Sequence, residues 1–518
     1  MQLSTVDVSP RARASSPNDC RLILSRCDVG EVVTINELPD DVLLTIFDFL
    51  VGRVLPFPIE VPEFGNQVTE IEPWQLLVHV CRRWRGLVFE SPRRLELQLF
   101  CTTETPARKT RDVWPALPLL IRGDVSETLV DNVISLLELS NRIFQIELNW
   151  HTSSQIKKLW AAMQMPFPEL QALYLSFRGV LVSHVPDLPN SFLDGSAPRL
   201  RSLALVTVPL HELPKLLSPA PHLTSLYLRR IPYSWYLSPE AIVTCLRMLT
   251  SLSALQLEFE YSRLIPVQDR KTLRSPLSTR SVLPALTVFS FKGAKEYLED
   301  FVARIDTPRL YRLSATVFNH VDLNVPELIR FISRSSKLKA PNESHIVFGR
   351  RAASIRLQPQ ASDIEYFEIQ NLCREPDWQV SSLVHFCRSS LPLLSTTENL
   401  FICNPLMDSQ PNWEGGIENI EWLELLLPFT AVKNLYLSRQ FVLRVASALQ
   451  ETTGGETMVL PALQNLYLEG FQPSKPVQED IERFILARQV TEHPVAIFAW
   501  DRNRPDVPND SDSEEVDD

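Results

Sequence analysis

The sequence predicts an α/β fold: an N-terminal helical module, then an irregular repeat solenoid with a parallel sheet on one face and helices on the other. Three observations carry this. Apolar residues spaced i, i+3, i+5 recur in nine copies after residue 95. Amphipathic helix patterns lie between many of those copies. Before them, Ile35–Leu95 reads as short helices.

Residues 1–30 contain SPRARASSPND, polar and without periodicity, and are expected to be a disordered tail. A flexible tail is favoured over a targeting patch. In INELPDDVLLTIFDFL, Pro39 suits the first helical position, where no amide donor is needed. Asp40 and Asp41 fall in the first turn, where the helix dipole favours negative charge. Val42, Leu43, Ile46, Phe47 and Leu50 then form one apolar stripe. A Pro-rich insert over 51–72 reads as a loop. A second helix is expected from Pro73 through Leu76, Leu77, Val80, Trp84 and Leu87. So small a module, spanning 31–95, cannot bury all this apolar surface in itself and needs the rest of the chain or a partner.

The run LPDDVLLTIFDFL with VCRRWR resembles an F-box, the adaptor-binding helical module of SCF-type ubiquitin ligases. The match covers Leu38–Leu50 and Pro73–Ser91. It departs from the pattern in the long insert, and in having Leu95 near where the family often has tryptophan. The resemblance implies a Skp-type adaptor, and through it a cullin-RING ligase. It implies adaptor contacts at Leu38, Pro39, Val42, Leu43, Ile46, Phe47, Val80 and Trp84. An ordinary helical cap on the following domain is the bland alternative.

From residue 96 to 500 the repeats dominate. FPELQALYLSF, APRLRSLALVTV, APHLTSLYLRRI, LTSLSALQLEF, LPALTVFSFKG, TPRLYRLSATVF, FTAVKNLYLSR and LPALQNLYLEG share the spacing, as does RIFQIELNW before them. Neighbouring copies begin 23 to 34 residues apart, the signature of leucine-rich repeats. The i+3 and i+5 residues of each short strand point into the core and the first residue fills the turn before it. No unit closes its own core, so neighbours stack. The repeats lack the Asn that often follows the strand. With the long insert, the chain is similar to F-box proteins of mushroom-forming fungi.

Helices are predicted at EAIVTCLRML behind the Ser238-Pro239 cap, at KEYLEDFVARI, PELIRFISRSSK, VSSLVHFCRSS and FVLRVASALQETTGG. Glu343–Leu372 holds three strand patterns too close together for helices, and is expected to be a small antiparallel excursion. Cys373–Pro428 shows weaker repeats. Residues 501–518 are acidic and expected to be disordered, with Ser511 and Ser513 in acidic context.

Hydrophobic content of 45% and charged content of 22% are those of an ordinary soluble protein. A net charge of −11 argues against nucleic acid as a partner. No apolar run approaches a membrane span. The eight cysteines are scattered without a C-x-x-C pair, as free thiols of a cytosolic or nuclear protein are. No phosphate loop, H-E-x-x-H, zinc spacing or G-x-S-x-G occurs, so no cofactor, metal or enzymatic activity is expected. His385 and Cys387 are a weak pair, read as core helix.

Two functions fit: a substrate-recognition subunit of an SCF-type ligase, or a non-degradative leucine-rich-repeat scaffold. In either, an unidentified target protein is expected on the strand-lined face. Residues between and just after the inward leucines should face out there: Tyr174 and Ser176, Tyr227 and Arg229, Gln256 and Glu258, Ser290 and Lys292, Tyr436 and Ser438, Tyr467 and Glu469. Tyr174, Tyr227, Arg229, Tyr436 and Tyr467 are the candidate target contacts. The competing role for the tyrosines is merely to cover the sheet.

Overall fold

The computed structural model describes residues 35–51 and 73–501, except 93, 96, 113–116, 180–184, 196, 211–212, 218–219, 233–234, 236, 261–279, 336, 339–340, 360–365, 374, 376–377, 405–418, 452–458, 471–478 and 491–493. The expected tails, the insert from 52 onward and the glycines closing FVLRVASALQETTGG lie outside the described residues. Those described divide into two compact units, one ending at Leu99 and one starting at Phe100.

The first unit holds α1 (Asp40–Val51), α2 (Pro73–Val78) and α3 (Arg82–Glu90), with a 3-10 turn at Ile35–Glu37. Pro39 precedes α1 and supplies its first carbonyl, which accepts from the Leu43 amide at 3.0 Å. The expected single helix from Pro73 to Leu87 is broken at His79–Cys81. Cys81 is extended, and its Sγ accepts from the Trp84 amide at the start of α3. Arg85 Nε donates to the Val78 carbonyl at the end of α2, 2.9 Å away. Leu43, Leu44, Phe47, Trp74, Trp84 and Val88 form the interior, with the Phe47 and Trp84 rings 4.7 Å apart. Trp74 Nε1 donates to the Gln98 carbonyl at 2.8 Å, and Leu95 is buried.

The second unit alternates strands and helices. Its first half runs β1 (Leu99–Thr102), α4 (Ala107–Asp112), β2 (Leu119–Val125), α5 (Val130–Leu137), β3 (Ile143–Trp150), α6 (Ser153–Ala162), β4 (Ala172–Phe177), β5 (Ser202–Val206), α7 (Leu213–Leu217), β6 (Ser225–Ile231), α8 (Pro239–Leu246), β7 (Ala254–Phe259), β8 (Ser281–Val282), β9 (Val288–Gly293), α9 (Lys295–Ala303) and β10 (Ile305–Asp306). It continues with β11 (Arg312–Phe318), α10 (Pro326–Arg334), β12 (Glu343–Phe348), β13 (Ala352–Gln358), β14 (Tyr366–Leu372), α11 (Trp378–Ser389), α12 (Leu391–Leu394), β15 (Asn399–Cys403), α13 (Asn419–Leu426), β16 (Asn434–Leu437), α14 (Val442–Glu451), β17 (Asn465–Glu469), α15 (Glu479–Val490) and β18 (Ala496–Trp500). Among the described residues, 16 strands form one sheet, in the order β1-β2-β3-β4-β5-β6-β7-β9-β11-β14-β13-β12-β15-β16-β17-β18. A parallel sheet with helices between its strands is what the repeats require.

The repeat residues behave as the spacing dictates. In all nine copies the i, i+3 and i+5 residues are no more than 3% exposed. The first leucine closes a turn: Leu170, Leu200, Leu223, Leu252, Leu286, Leu310 and Leu463 each donate from the backbone to the carbonyl three residues back. Hydroxyls tie successive turns together. Thr224 Oγ1 donates to the Arg201 carbonyl, Ser253 Oγ to Thr224 and Thr287 Oγ1 to Ser253, each at 2.9 Å.

The stretch Glu343–Leu372 is antiparallel, as expected, but lies within the main sheet. After α10 the chain enters at β12, returns through antiparallel β13 and lays β14 parallel to β11. Strand β15 then pairs with β12, so the array continues without an edge.

One buried carboxylate links two repeats. Glu299 of α9 accepts from the Glu327 and Leu328 amides at the start of α10, both at 2.9 Å. Burial pushes this carboxyl up, against the pull of the two amides. Glu299→Ala leaves both donors unpaired and is expected to cost about 1–3 kcal/mol in thermal denaturation. The folded state holds its Glu299 proton above the ordinary carboxylate range. The stability difference between wild type and Glu299→Ala should therefore shrink as pH rises through that window.

Candidate functional site

Two surfaces carry groups beyond what the cores need. The first is on the helical unit. The single expected stripe of α1 is in fact two. Leu43, Leu44 and Phe47 face inward and are buried. Val42, Ile46, Phe49 and Leu50, at i, i+4, i+7 and i+8, form a second stripe. Phe49 is 85% exposed and Leu50 55%. Leu76 and Val80 are also exposed. Of the residues expected to meet an adaptor, Val42, Pro39 and Val80 are therefore on the surface, while Leu38 and Ile46 are half-buried. Leu43, Phe47 and Trp84 build the unit's own core, because three short helices have few other large side chains to enclose. Phe49 and Leu76 were missed, although Phe49 continues the spacing of Val42 and Ile46. Arg83 fixes the start of α1, donating to Asp40 Oδ1 at 2.5 Å and to the Leu38 carbonyl at 2.7 Å.

The second surface is the sheet face opposite the leucines. The strand registers align Glu147, Tyr174, Ala204, Tyr227, Gln256 and Ser290 in one row. The row continues through Ser314, Glu368, Arg356 and His345 to Phe401, Tyr436, Tyr467 and Phe498. The expected outward tyrosines all lie in this row, so the side of the sheet is as predicted. Their exposure is not. Tyr174 and Tyr227 are 4% and 5% exposed, in one cluster with Ala204 and Val206. Small Ala204 stands between them in register, which leaves room for the two phenols to pack down. Burial pushes the Tyr227 hydroxyl up, against its bond to Ser225. Ser176, Tyr436 and Ser438 are buried too, whereas Tyr467 and Glu469 are partly exposed.

Charge is concentrated in two places on this face. Arg122 Nε donates to buried Glu147 at 2.5 Å, and burial pushes the Glu147 carboxyl up despite that guanidinium. Further along, Glu258 receives Lys292 Nζ at 2.9 Å and Arg229 Nε at 3.3 Å. Burial pushes the Glu258 carboxyl up, but Lys292 and Arg229 together outweigh it and hold the group below the usual range. Next to these, the Arg312 and Arg356 guanidiniums lie over the Tyr366 ring at 4.9 and 5.0 Å.

The last strands carry a stack of rings. His345 and Phe401 are 4.4 Å apart and 4° from parallel, Phe401 and Tyr436 4.2 Å and 13°, Tyr436 and Tyr467 4.3 Å and 9°. Phe498 extends the stack at 5.1 Å, and Trp500 leans on Phe401 and Tyr436 from the side. An amide ladder runs alongside: Asn434 Nδ2 donates to Asn399, and Asn465 Nδ2 to Asn434, both at 2.7 Å. Sequence reasoning singled out Tyr436 and Tyr467 but missed His345, Phe401, Phe498 and Trp500. The shared runs NLFI, NLYL and NLYL were the available signal.

Among the described residues no three His, Cys, Asp or Glu side chains converge where a metal ion could be held. Cys387 is fully buried in α11, and His385 on the same helix faces Asp322 at 3.7 Å. No described helix is long and apolar enough to cross a membrane.

No family model matches the chain, and no curated protein matches it. Among solved structures, the chain is similar to the leucine-rich repeat-containing protein LegL7 from Legionella pneumophila. The two are 12% identical with a TM-score of 0.26, over 76% of this chain and 97% of that one.

Proposed function

We propose that this chain is the substrate-recognition subunit of an SCF-type E3 ubiquitin ligase. Its helical unit binds a Skp-type adaptor, and the outer face of its sheet holds a target protein. The chain supplies proximity, placing target lysines where a conjugating enzyme reaches them. Catalysis belongs to the other subunits, so the chain itself needs no cofactor. The cytosol or nucleus suits its cysteines, read as free thiols.

The observation that carries the reading is the second apolar stripe of α1. A helix that has already closed its own core with Leu43, Leu44 and Phe47 keeps Val42, Phe49 and Leu50 in water. That is costly unless a partner covers them. Large aromatic anchors are the usual hot spots of such interfaces, worth about 2 kcal/mol or more on truncation. Phe49→Ser with Val80→Ser is therefore expected to lower co-purification of a co-expressed Skp-type adaptor at least ~30-fold, with circular dichroism unchanged. Undiminished adaptor in a folded double variant would contradict the reading. A wild-type chain that captures targets without ever holding adaptor would favour the non-degradative scaffold.

A further inference from the structure

We propose that the segment held on the outer face is an extended acidic peptide bearing an aromatic side chain. Its carboxylates would lie along Lys292, Arg312 and Arg356, and its ring against Tyr467, Phe498 and Trp500. This rests on the outer face being the recognition surface and names what that surface selects.

Charge argues first. From β6 to β12 this face carries the cations Arg229, Lys292, Arg312 and Arg356 against the carboxylates Glu258, Glu368 and Glu343. That excess is positive on a chain of net charge −11, so an acidic segment is repelled by the protein at large and drawn here. Arg356 reaches Glu368 only at 3.4 Å, and its side chain is 45% exposed. A carboxylate presented bidentately is a better acceptor than that long pair. Arg312 and Arg356 are steadied by the Tyr366 ring between them, which lowers the ordering cost of gripping a ligand. Ser290 and Ser314 sit in register beside these cations and leave an extended backbone room to approach.

The ring stack continues the same row. Arg356 stands opposite His345, and His345 stacks on Phe401. The cationic stretch therefore passes directly into the aromatic one. From Arg356 to Tyr467 is four strand spacings, about 19 Å, the reach of roughly six extended residues. Within the stack Phe401, Tyr436 and Tyr467 have both ring faces covered by neighbours, so these inner rings offer edges to a ligand. Ring edges are the positive part of an aromatic quadrupole and attract carboxylate and carbonyl oxygens. That also separates a peptide from single-stranded nucleic acid, which needs open ring faces for its bases. Phe498, 44% exposed at the end of the row, and Trp500 beside it offer the apolar contact for a peptide ring.

The test uses the full chain and fluorescence anisotropy with labelled twelve-residue peptides. Four Glu-Glu-Phe repeats are expected to bind, and to weaken on raising sodium chloride from about 50 to about 300 mM. Arg312→Gln with Arg356→Gln should weaken binding about tenfold or more, and Lys292→Gln alone by a smaller factor. Glu-Glu-Ser repeats should bind about tenfold more weakly than Glu-Glu-Phe. Equal or tighter binding of Lys-Lys-Phe repeats or of a twelve-nucleotide oligothymidine overturns the proposal. So does unchanged affinity in both charge variants, provided their thermal melts match wild type. If no peptide binds while Tyr436→Ser with Tyr467→Ser abolishes capture of cellular targets in a chain whose thermal melt matches wild type, the face is still the recognition surface and this inference falls.

Discussion

Trp84→Ala is expected to unfold the helical unit, not merely to weaken an interface. Trp84 is 8% exposed, its ring lies 4.7 Å from Phe47, and the backbone amide of the same residue holds the cap at Cys81. Removing a buried tryptophan leaves a large cavity, at a typical cost of about 3–5 kcal/mol. Three short helices have little stability in reserve against that. Hydrogen exchange on the full chain should show α1, α2 and α3 losing protection together. Adaptor binding should disappear with them, through loss of the fold. Phe49→Ser should do the reverse, losing adaptor while the same amides stay protected. Intact protection of α1 in Trp84→Ala would show that the residue is not the keystone of this core.

Leu226→Ala is the second large effect. Leu226 is 1% exposed on β6, in register between Leu203 of β5 and Leu255 of β7. The truncation is expected to cost about 2–5 kcal/mol. Each repeat leans only on its neighbours, so the damage should start locally and spread along the array. Exchange should rise first in β5, β6 and β7, and last in β17 and β18. Uniform loss of protection across the sheet, or none near residues 202–259, would count against a stacked-repeat core.

Much of this architecture was readable from the chain, for a physical reason. A strand buried on one face must alternate, so the leucines at i+3 and i+5 marked their strands without help from distant residues. Helices with clear caps were also readable: Ser238 accepts from the Ala241 amide at 3.2 Å and starts α8 as expected. Helix α6 went unread although Thr152 and Gln155 form a capping box at its start. At only five residues, α7 is too short to show a period.

Longer-range features were harder. Strand β15 was hidden because Thr397 replaces the first leucine of its repeat. Thr397 still closes the same backbone turn, to Leu394, and its hydroxyl is satisfied by Ser344 at 2.9 Å. With that copy obscured, the ring row from Phe401 to Phe498 could not be assembled. The reversed order β14-β13-β12 depends on which neighbour each strand chooses, and local pattern does not encode that choice. On α1, Val42 and Leu43 looked like members of one stripe. Only the packing of Phe47 on Trp84 decided which side was inside. The burial of Tyr174 and Tyr227 was likewise invisible, since it depends on Ala204 lying between them on the next strand.

In the proposed function, adaptor and target are held by separate surfaces of one chain, and joining them shortens the target's life. The direct measurement is proximity labelling in cells with the ligase inactivated, followed, in cells with the ligase active, by half-lives of the labelled proteins with wild-type chain or with Phe49→Ser and Val80→Ser. The double variant is expected to label the same proteins and to lengthen their half-lives, and Tyr436→Ser with Tyr467→Ser to remove them from the labelled set while leaving the thermal melt unchanged. Equal half-lives with both chains, for proteins that both label, would contradict that function.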